Sequence, residues 1–234
     1  MAAVIEVSGL RYRYEDGTPA LQGVDFRLDT GEAVALLGPN GSGKTTFVLH
    51  LNGLLTGEGK VRVCGLAVQQ PNFAAVRRKL GIVFQDSESQ LFMPTVLEDV
   101  CFGLLNSGMS SAEAARRAKE ALAQVEMEAA FAKAPYHLSA GEKKRVAIAG
   151  ILAMQPEVLA LDEPTTFLDP PARRALVKLL RGLPQAKIVV THDVAFARAV
   201  CGRAVFFERG QIAAEGTVDE LARQFQWEAA GGHD

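Results

Sequence analysis

The chain reads as an α/β protein built on a mostly parallel sheet, with an antiparallel β edge ahead of it and a helical insertion within it. Three observations predict this. Short, nearly pure apolar runs at 33–37, 80–84, 158–161 and 187–191 alternate with helical stretches, the pattern of parallel strands covered on both faces. A glycine-rich loop, Gly38-Pro39-Asn40-Gly41-Ser42-Gly43-Lys44-Thr45, joins the first of these runs to a helical segment. Between residues 85 and 156 the strands stop, and helical segments follow one another.

In chain order, residues 4–14 and 24–28 alternate apolar with polar side chains and supply the antiparallel edge, the second ending at a Thr30-Gly31 turn. After the loop, 45–52 is helical and stops at Gly53, and 60–64 is a short strand between Gly59 and Gly65. Residues 80–84 form a buried strand ending in Gln85. The insertion carries helices at 96–105, 111–125 and 140–154, the second rich in Ala with Glu and Arg on one face. The core resumes with strand 158–161, a helix over 172–181 stopped by Gly182 and Pro184, strand 187–191, a helix over 194–200, and strands 204–207 and 211–214. This organises 1–226 as one domain, with a core of about 1–85 and 156–226, a helical part of about 86–155, and a frayed tail at 227–234.

The 234 residues, 48% hydrophobic and 22% charged, are enough for one sizeable core. With 25 basic against 27 acidic residues and no long basic run, nothing draws the protein to nucleic acid or anionic lipid. Cys64, Cys101 and Cys201 are odd in number and far apart, so they suggest neither a disulfide framework nor a zinc site. The longest apolar run, 146–154, is far short of a bilayer span, and the N-terminus has no signal-length apolar core. The expectation is a soluble, cytoplasmic chain whose membrane role, if any, comes through a partner.

The glycine-rich loop predicts a phosphate site. Glycines let backbone N–H groups turn inward around phosphate oxygens, the new helix adds its positive end, Lys44 adds a point charge, and Thr45 offers a hydroxyl to Mg²⁺. The ligand implied is a nucleoside triphosphate. Further on, Val158-Leu159-Ala160-Leu161-Asp162-Glu163 puts two carboxylates at the carboxyl end of an apolar strand, where open α/β sheets bind ligands. Asp162 can hold Mg²⁺ through water, and Glu163 can orient and deprotonate a water that attacks the γ-phosphate. Thr191-His192-Asp193 ends another strand, where His192 can hydrogen-bond that phosphate. Gln85 offers an amide for Mg²⁺ or for water. Ser139-Ala140-Gly141-Glu142 is a capping box whose hydroxyl and free N–H groups form a second anion site, suited to a phosphate from another subunit. The following Lys143, Lys144 and Arg145 read as a solvated helix face.

Together these motifs resemble the ATP-binding cassette (ABC) ATPases over about 4–221, in the family's order. Gly38 to Thr45 looks like the Walker A loop, Gln85 the Q-loop glutamine, 138–142 the signature, and 158–162 Walker B with Glu163 as the catalytic glutamate. The D-loop then lies at 166–169, ending in Asp169, and His192 is the switch histidine. The resemblance implies ATP and Mg²⁺ as ligands, held by Gly38, Asn40, Gly41, Ser42, Gly43, Lys44, Thr45 and Thr46, with Thr45, Gln85 and Asp162 around the metal. It implies that Tyr14 stacks on adenine, with Tyr12 as the rival. It also implies a head-to-tail dimer in which Ser139, Gly141 and Glu142 face the partner's ATP, a homodimer before a heterodimer.

Phe84-Gln85-Asp86, the stretch from Gln90 to Gly103, and Leu138-Ser139-Ala140-Gly141-Glu142-Lys143-Lys144-Arg145 look like the cobalt- and nickel-type ATPase of energy-coupling factor importers. That resemblance implies a peripheral subunit on the cytoplasmic face of the membrane, joined to a transmembrane coupling protein and a small substrate-binding membrane protein, taking up cobalt or nickel ions or a vitamin. Departures stand out in the signature, with Ala140 where the family usually has glycine, strained if that position needs positive φ, and Glu142 in place of the commoner glutamine, which this subfamily also uses; Asp86-Ser87-Glu88-Ser89 also lacks a proline and an acid often seen there. The alternatives are the ATPase of another ABC importer or exporter, which shares these residues, and a soluble ABC ATPase acting on nucleic acid or ribosomes. The latter would usually bring a coiled-coil insertion, zinc cysteines or a second cassette.

Overall fold

The computed structural model describes residues 2–227 and resolves them into two compact units. Of the described residues, 2–81, 157–163 and 184–227 form the first, and 82–156 and 164–183 the second. The tail expected at 227–234 lies, beyond Trp227, outside the described residues.

In the first unit, β1 (Ala3–Arg13) pairs antiparallel with β2 (Pro19–Asp29) on one side and β4 (Glu58–Val63) on the other, and β5 (Leu66–Ala67) completes a four-stranded sheet. Alternation places Ile5 and Val7 opposite Leu28 and Phe26, and an irregularity in the pairing between Val7 and Leu10 sets Leu10 opposite Val24, all of them buried. The other sheet runs in the order β10-β9-β3-β8-β7-β6, from β3 (Ala33–Leu37), β6 (Leu80–Val83), β7 (Val158–Asp162), β8 (Ala186–Val190), β9 (Arg203–Glu208) and β10 (Gln211–Gly216). β9, β3, β8 and β7 are parallel, and β10 is antiparallel to β9. Every residue of β7 and β8 is buried, which is why these strands show no polar alternation. Even Lys187 is buried there, its ammonium donating to the Gln185 carbonyl at 2.7 Å.

The helices of this unit are α1 (Lys44–Leu51), α2 (Phe73–Lys79), α7 (Val194–Val200) and α8 (Val218–Gln224). Neither α2 nor α8 was anticipated from sequence, nor was β5. α2 buries only Val76, too little for a periodic signal. α8 does carry a legible start, since Thr217 and Glu220 form a capping box. Phe47 of α1 is fully buried, with ring centroids 5.3 Å from Phe26 of β2 and 5.4 Å from Phe207 of β9. One side chain thus joins the loop-bearing helix to both sheets.

The second unit contains α3 (Val96–Asn106), α4 (Ser111–Gln124), α5 (Ala140–Leu152) and α6 (Pro170–Gly182). α3, α4 and α5 pack on one another through residues such as Val100, Leu104, Ala118, Leu122 and Ile148. Each start is capped by the side chain just before it: Thr95, Ser110, Ser139 and Asp169. α6 packs against α5, so 164–183 belongs with the helical unit beyond the expected 86–155.

Phe47→Ala removes a ring that three elements share, and should cost about 3–5 kcal/mol of stability in urea unfolding followed by circular dichroism. An unchanged unfolding midpoint would mean that the ring does not tie the two sheets together.

Candidate functional site

The phosphate loop follows β3 directly. Gly38, Gly41 and Gly43 have φ of 132°, 75° and 105°, backbone conformations that side chains rarely tolerate. Space demands glycine as well. A Cβ on Gly38 would stand 2.1 Å from the Phe207 carbonyl oxygen, and one on Gly43 2.6 Å from that of Ala20. Gly43 caps α1 without any side-chain hydrogen bond, so the first N–H groups of the helix are left for a ligand. Asn40 and Gly41 are exposed at the rim, while Ser42 is buried.

Lys44 is buried, and its ammonium donates to the carbonyls of Gly38 at 2.7 Å and Pro39 at 2.9 Å. Burial pulls its pKa below the usual lysine value, against the opposing pull of the Glu163 and Asp162 charges. The Thr45 hydroxyl donates to Asp162 Oδ2 at 2.9 Å, joining the loop to the end of β7. Thr46, one residue on, meets the Tyr14 hydroxyl at 2.7 Å. Tyr14 is 41% exposed, whereas Tyr12 is half-buried against it and against His50.

Glu163 takes φ of 44°, left-handed for a residue with a side chain, and its N–H still donates to the Val190 carbonyl at 2.9 Å. The backbone is bent just where the strand ends. Its Oε2 is 2.9 Å from His192 Nδ1, yet it is buried and lacks an aligned hydrogen-bond donor among the described residues. His192 itself is exposed, at the end of β8. The first unit therefore brings together Tyr14, the loop, Asp162, Glu163 and His192.

The remaining candidates lie in the second unit. Gln85 is exposed, and its backbone carbonyl accepts from Lys144 Nζ at 2.8 Å, beside that of Phe84 at 3.2 Å. The expectation that Lys143, Lys144 and Arg145 form a solvated face is overturned: Lys144 is only 3% exposed, Lys143 pairs with Glu88, and Arg145 donates to the Val125 carbonyl. The signal was there, because Lys144, Ile148 and Leu152 recur at helical spacing.

Ser139 and Glu142 form the predicted capping box. Glu142 Oε2 accepts from the Ser139 N–H at 2.8 Å and hydroxyl at 2.9 Å, which lowers the carboxyl pKa. Ala140 opens α5 with an ordinary negative φ, so the strain raised for it does not arise. Gly141 is needed for a reason sequence did not disclose: a Cβ there would lie 2.8 Å from that of Ala172 on α6. The Asp169 carboxylate caps α6 through the Ala172 N–H at 2.7 Å. Ser139, Gly141, Glu142 and Asp169 line one cleft of about 300 Å³.

The profile of the ABC transporter family matches residues 21–166. The chain is 52% identical to a putative ABC transporter ATP-binding protein of Streptomyces avermitilis, over 94% of this chain and 84% of that protein. It is 46% identical to the energy-coupling factor transporter ATP-binding protein EcfA of Methanothermobacter thermautotrophicus, over 94% and 73% respectively. Among solved structures, CbiO1 of Clostridium perfringens, part of the ABC transporter complex CbiONQ, superposes with a TM-score of 0.86 at 35% identity, covering 97% of this chain and 93% of that one. The cassette MJ0796, solved as a post-hydrolysis dimer bound to ADP and Pi, gives 0.81 at 31% identity, covering 92% and 98%. A left-handed glycine loop, two carboxylates at a strand end and this breadth of likeness have one reading: the chain belongs to the ABC transporter ATPases, the ATP-binding and ATP-hydrolysing cassette subunits.

Proposed function

We propose that this chain is the ATPase of an energy-coupling factor importer and that Glu163 is its general base. The observation that carries the chemistry is Glu163 Oε2, buried at the strand end 2.9 Å from His192 Nδ1 but without an aligned donor among the described residues, its charge felt at Lys44. A carboxylate oxygen held there has capacity for a water proton. Lys44 turns from the Gly38 and Pro39 carbonyls to the β- and γ-phosphates, and the loop amides bind the oxygens between. Water held by Glu163, with His192 turned to hydrogen-bond the γ-phosphate, attacks the γ-phosphorus in line. The bond to the β–γ bridging oxygen breaks, ADP leaves, and the proton passes to Glu163.

The Thr45 hydroxyl and Asp162 carboxylate, in contact at 2.9 Å, are a hard oxygen pair that suits Mg²⁺, and the Gln85 amide of the second unit carries an oxygen of the same hard kind. The ion would neutralise phosphate charge. Tyr14 is the platform for adenine. Ser139, Gly141 and Glu142, with Asp169 beside them, serve the ATP of a second subunit, a copy of this chain in the simplest assembly; the dimeric state of MJ0796 supports this.

Likeness to EcfA and CbiO1 supports the importer reading, with cobalt, nickel or a vitamin as cargo and a coupling protein and small binding protein as membrane partners. No helix among the described residues is long and apolar enough to cross a membrane, which suits a peripheral subunit. Exposed Phe92, Phe102 and Leu105 offer an apolar surface to those partners.

Glu163→Gln should lower turnover by about 10²-fold or more while ATP binding persists and a dimer accumulates in gel filtration with ATP. Normal turnover in that variant would remove Glu163 from the role of base. Lys44→Ala should weaken ATP binding at least about tenfold in calorimetry, the loss of a charge-assisted phosphate contact; unchanged affinity would place the phosphates elsewhere. Purification of the tagged protein from its own membranes in mild detergent should recover a coupling protein and a small metal- or vitamin-binding membrane protein. Recovery of other permease subunits would reassign it to another ABC transporter, and recovery of soluble partners alone would end the transport reading.

A further inference from the structure

We propose that His50 is a positioning residue for nucleotide binding: its imidazole, packed on Tyr12 and anchored on Thr46, fixes the ring of Tyr14 before ATP arrives. This rests on the reading of Tyr14 as the platform for the base. The side chains form a closed circuit. The His50 ring meets Tyr12 edge-on, with centroids 4.7 Å apart and planes at 70°. Tyr12 meets Tyr14 in the same way, at 5.2 Å and 80°. The Tyr14 hydroxyl reaches the Thr46 hydroxyl at 2.7 Å, and the Thr46 carbonyl receives His50 Nδ1 at 2.7 Å. Tyr14 is thereby held at its hydroxyl by α1 and at its ring by Tyr12, while 41% of its surface stays open to a ligand.

The chemistry of His50 argues against a packing role alone. A carbonyl only accepts, so Nδ1 carries the proton and Nε2 presents a bare lone pair. Nε2 is buried without a hydrogen-bond partner among the described residues, which an apolar ring of similar size would avoid. The imidazole is nevertheless tied to the carbonyl one turn back on α1, which sets its orientation. Burial lowers its pKa and so keeps the ring neutral. On its far side the wall is backbone: a Cβ on Gly57 would stand 3.2 Å from Nε2 and 2.3 Å from the Arg11 carbonyl. The ring has little room to turn.

The consequence is preorganisation, since a side chain ordered in advance does not lose its freedom when the ligand binds. α1 would then serve both ends of the nucleotide, Lys44 and Thr45 for phosphate and Thr46 with His50, one turn on, for the base.

The test uses the full chain with ATP and with inorganic tripolyphosphate, which has phosphates and no base. His50→Ala should raise KM for ATP about fivefold, the scale of losing one aromatic contact. It should keep kcat within about twofold and leave tripolyphosphate affinity unchanged, and His50→Phe, which keeps a ring but loses the Nδ1–H bond to Thr46, should recover only part of the loss; full recovery would reduce His50 to packing and overturn its anchored role. An unchanged KM in His50→Ala beside a raised KM in Tyr14→Ala would overturn the role of His50 and leave the platform standing. Parallel loss of ATP and tripolyphosphate affinity would also overturn it, by showing damage to the phosphate loop. If Tyr14→Ala itself leaves KM unchanged, the platform reading falls and this inference with it.

Discussion

Everything in the nucleotide-binding unit depends on backbones approaching more closely than side chains permit. Gly38 lies against the Phe207 carbonyl, while Gly43 and Gly210 both lie against that of Ala20. Hydrogen bonds lock the same junction, from the Gly210 N–H to the Ser42 carbonyl at 3.0 Å and from the Gln22 N–H to the Gly210 carbonyl at 2.8 Å. The phosphate loop is therefore wedged between the start of β2 and the turn joining β9 to β10. Its shape is imposed from outside as much as by its own sequence.

That rigidity contrasts with the strand end it faces. At Glu163 the chain adopts a conformation costing on the order of 1–3 kcal/mol for a residue with a side chain. The ladder bond from its N–H to the Val190 carbonyl helps hold it there. An acid on an unbent strand would alternate its direction with Asp162. With the bend, two consecutive carboxylates both find partners at this strand end, Asp162 meeting the Thr45 hydroxyl and Glu163 coming within 2.9 Å of His192.

The strands and the loop were legible in the sequence because their physics is local or periodic. Apolar runs at 158–161 and 187–191 announce parallel strands, and the glycines of 38–43 announce positive φ. Tyr14 could be separated from Tyr12 only by exposure, which depends on where His50 falls. What remained hidden was tertiary. Gly141 is dictated by Ala172 from thirty-one positions on, and nothing near Gly141 in the sequence says so. Lys144 reads as a surface cation by chemistry and as a core residue by spacing, and chemistry was the wrong guide: two backbone carbonyls satisfy its ammonium. α2 escaped because a single buried valine leaves no period to read.

The tether at Lys144 has a mechanical corollary. Its stem is embedded in α5 and its tip grips the main chain at Phe84 and Gln85, while Lys143 holds Glu88 three residues farther along. Residues 84–88 and the start of α5 are thus fastened at two successive lysines, so that displacing one from the other would strip a buried ammonium of its two carbonyl acceptors.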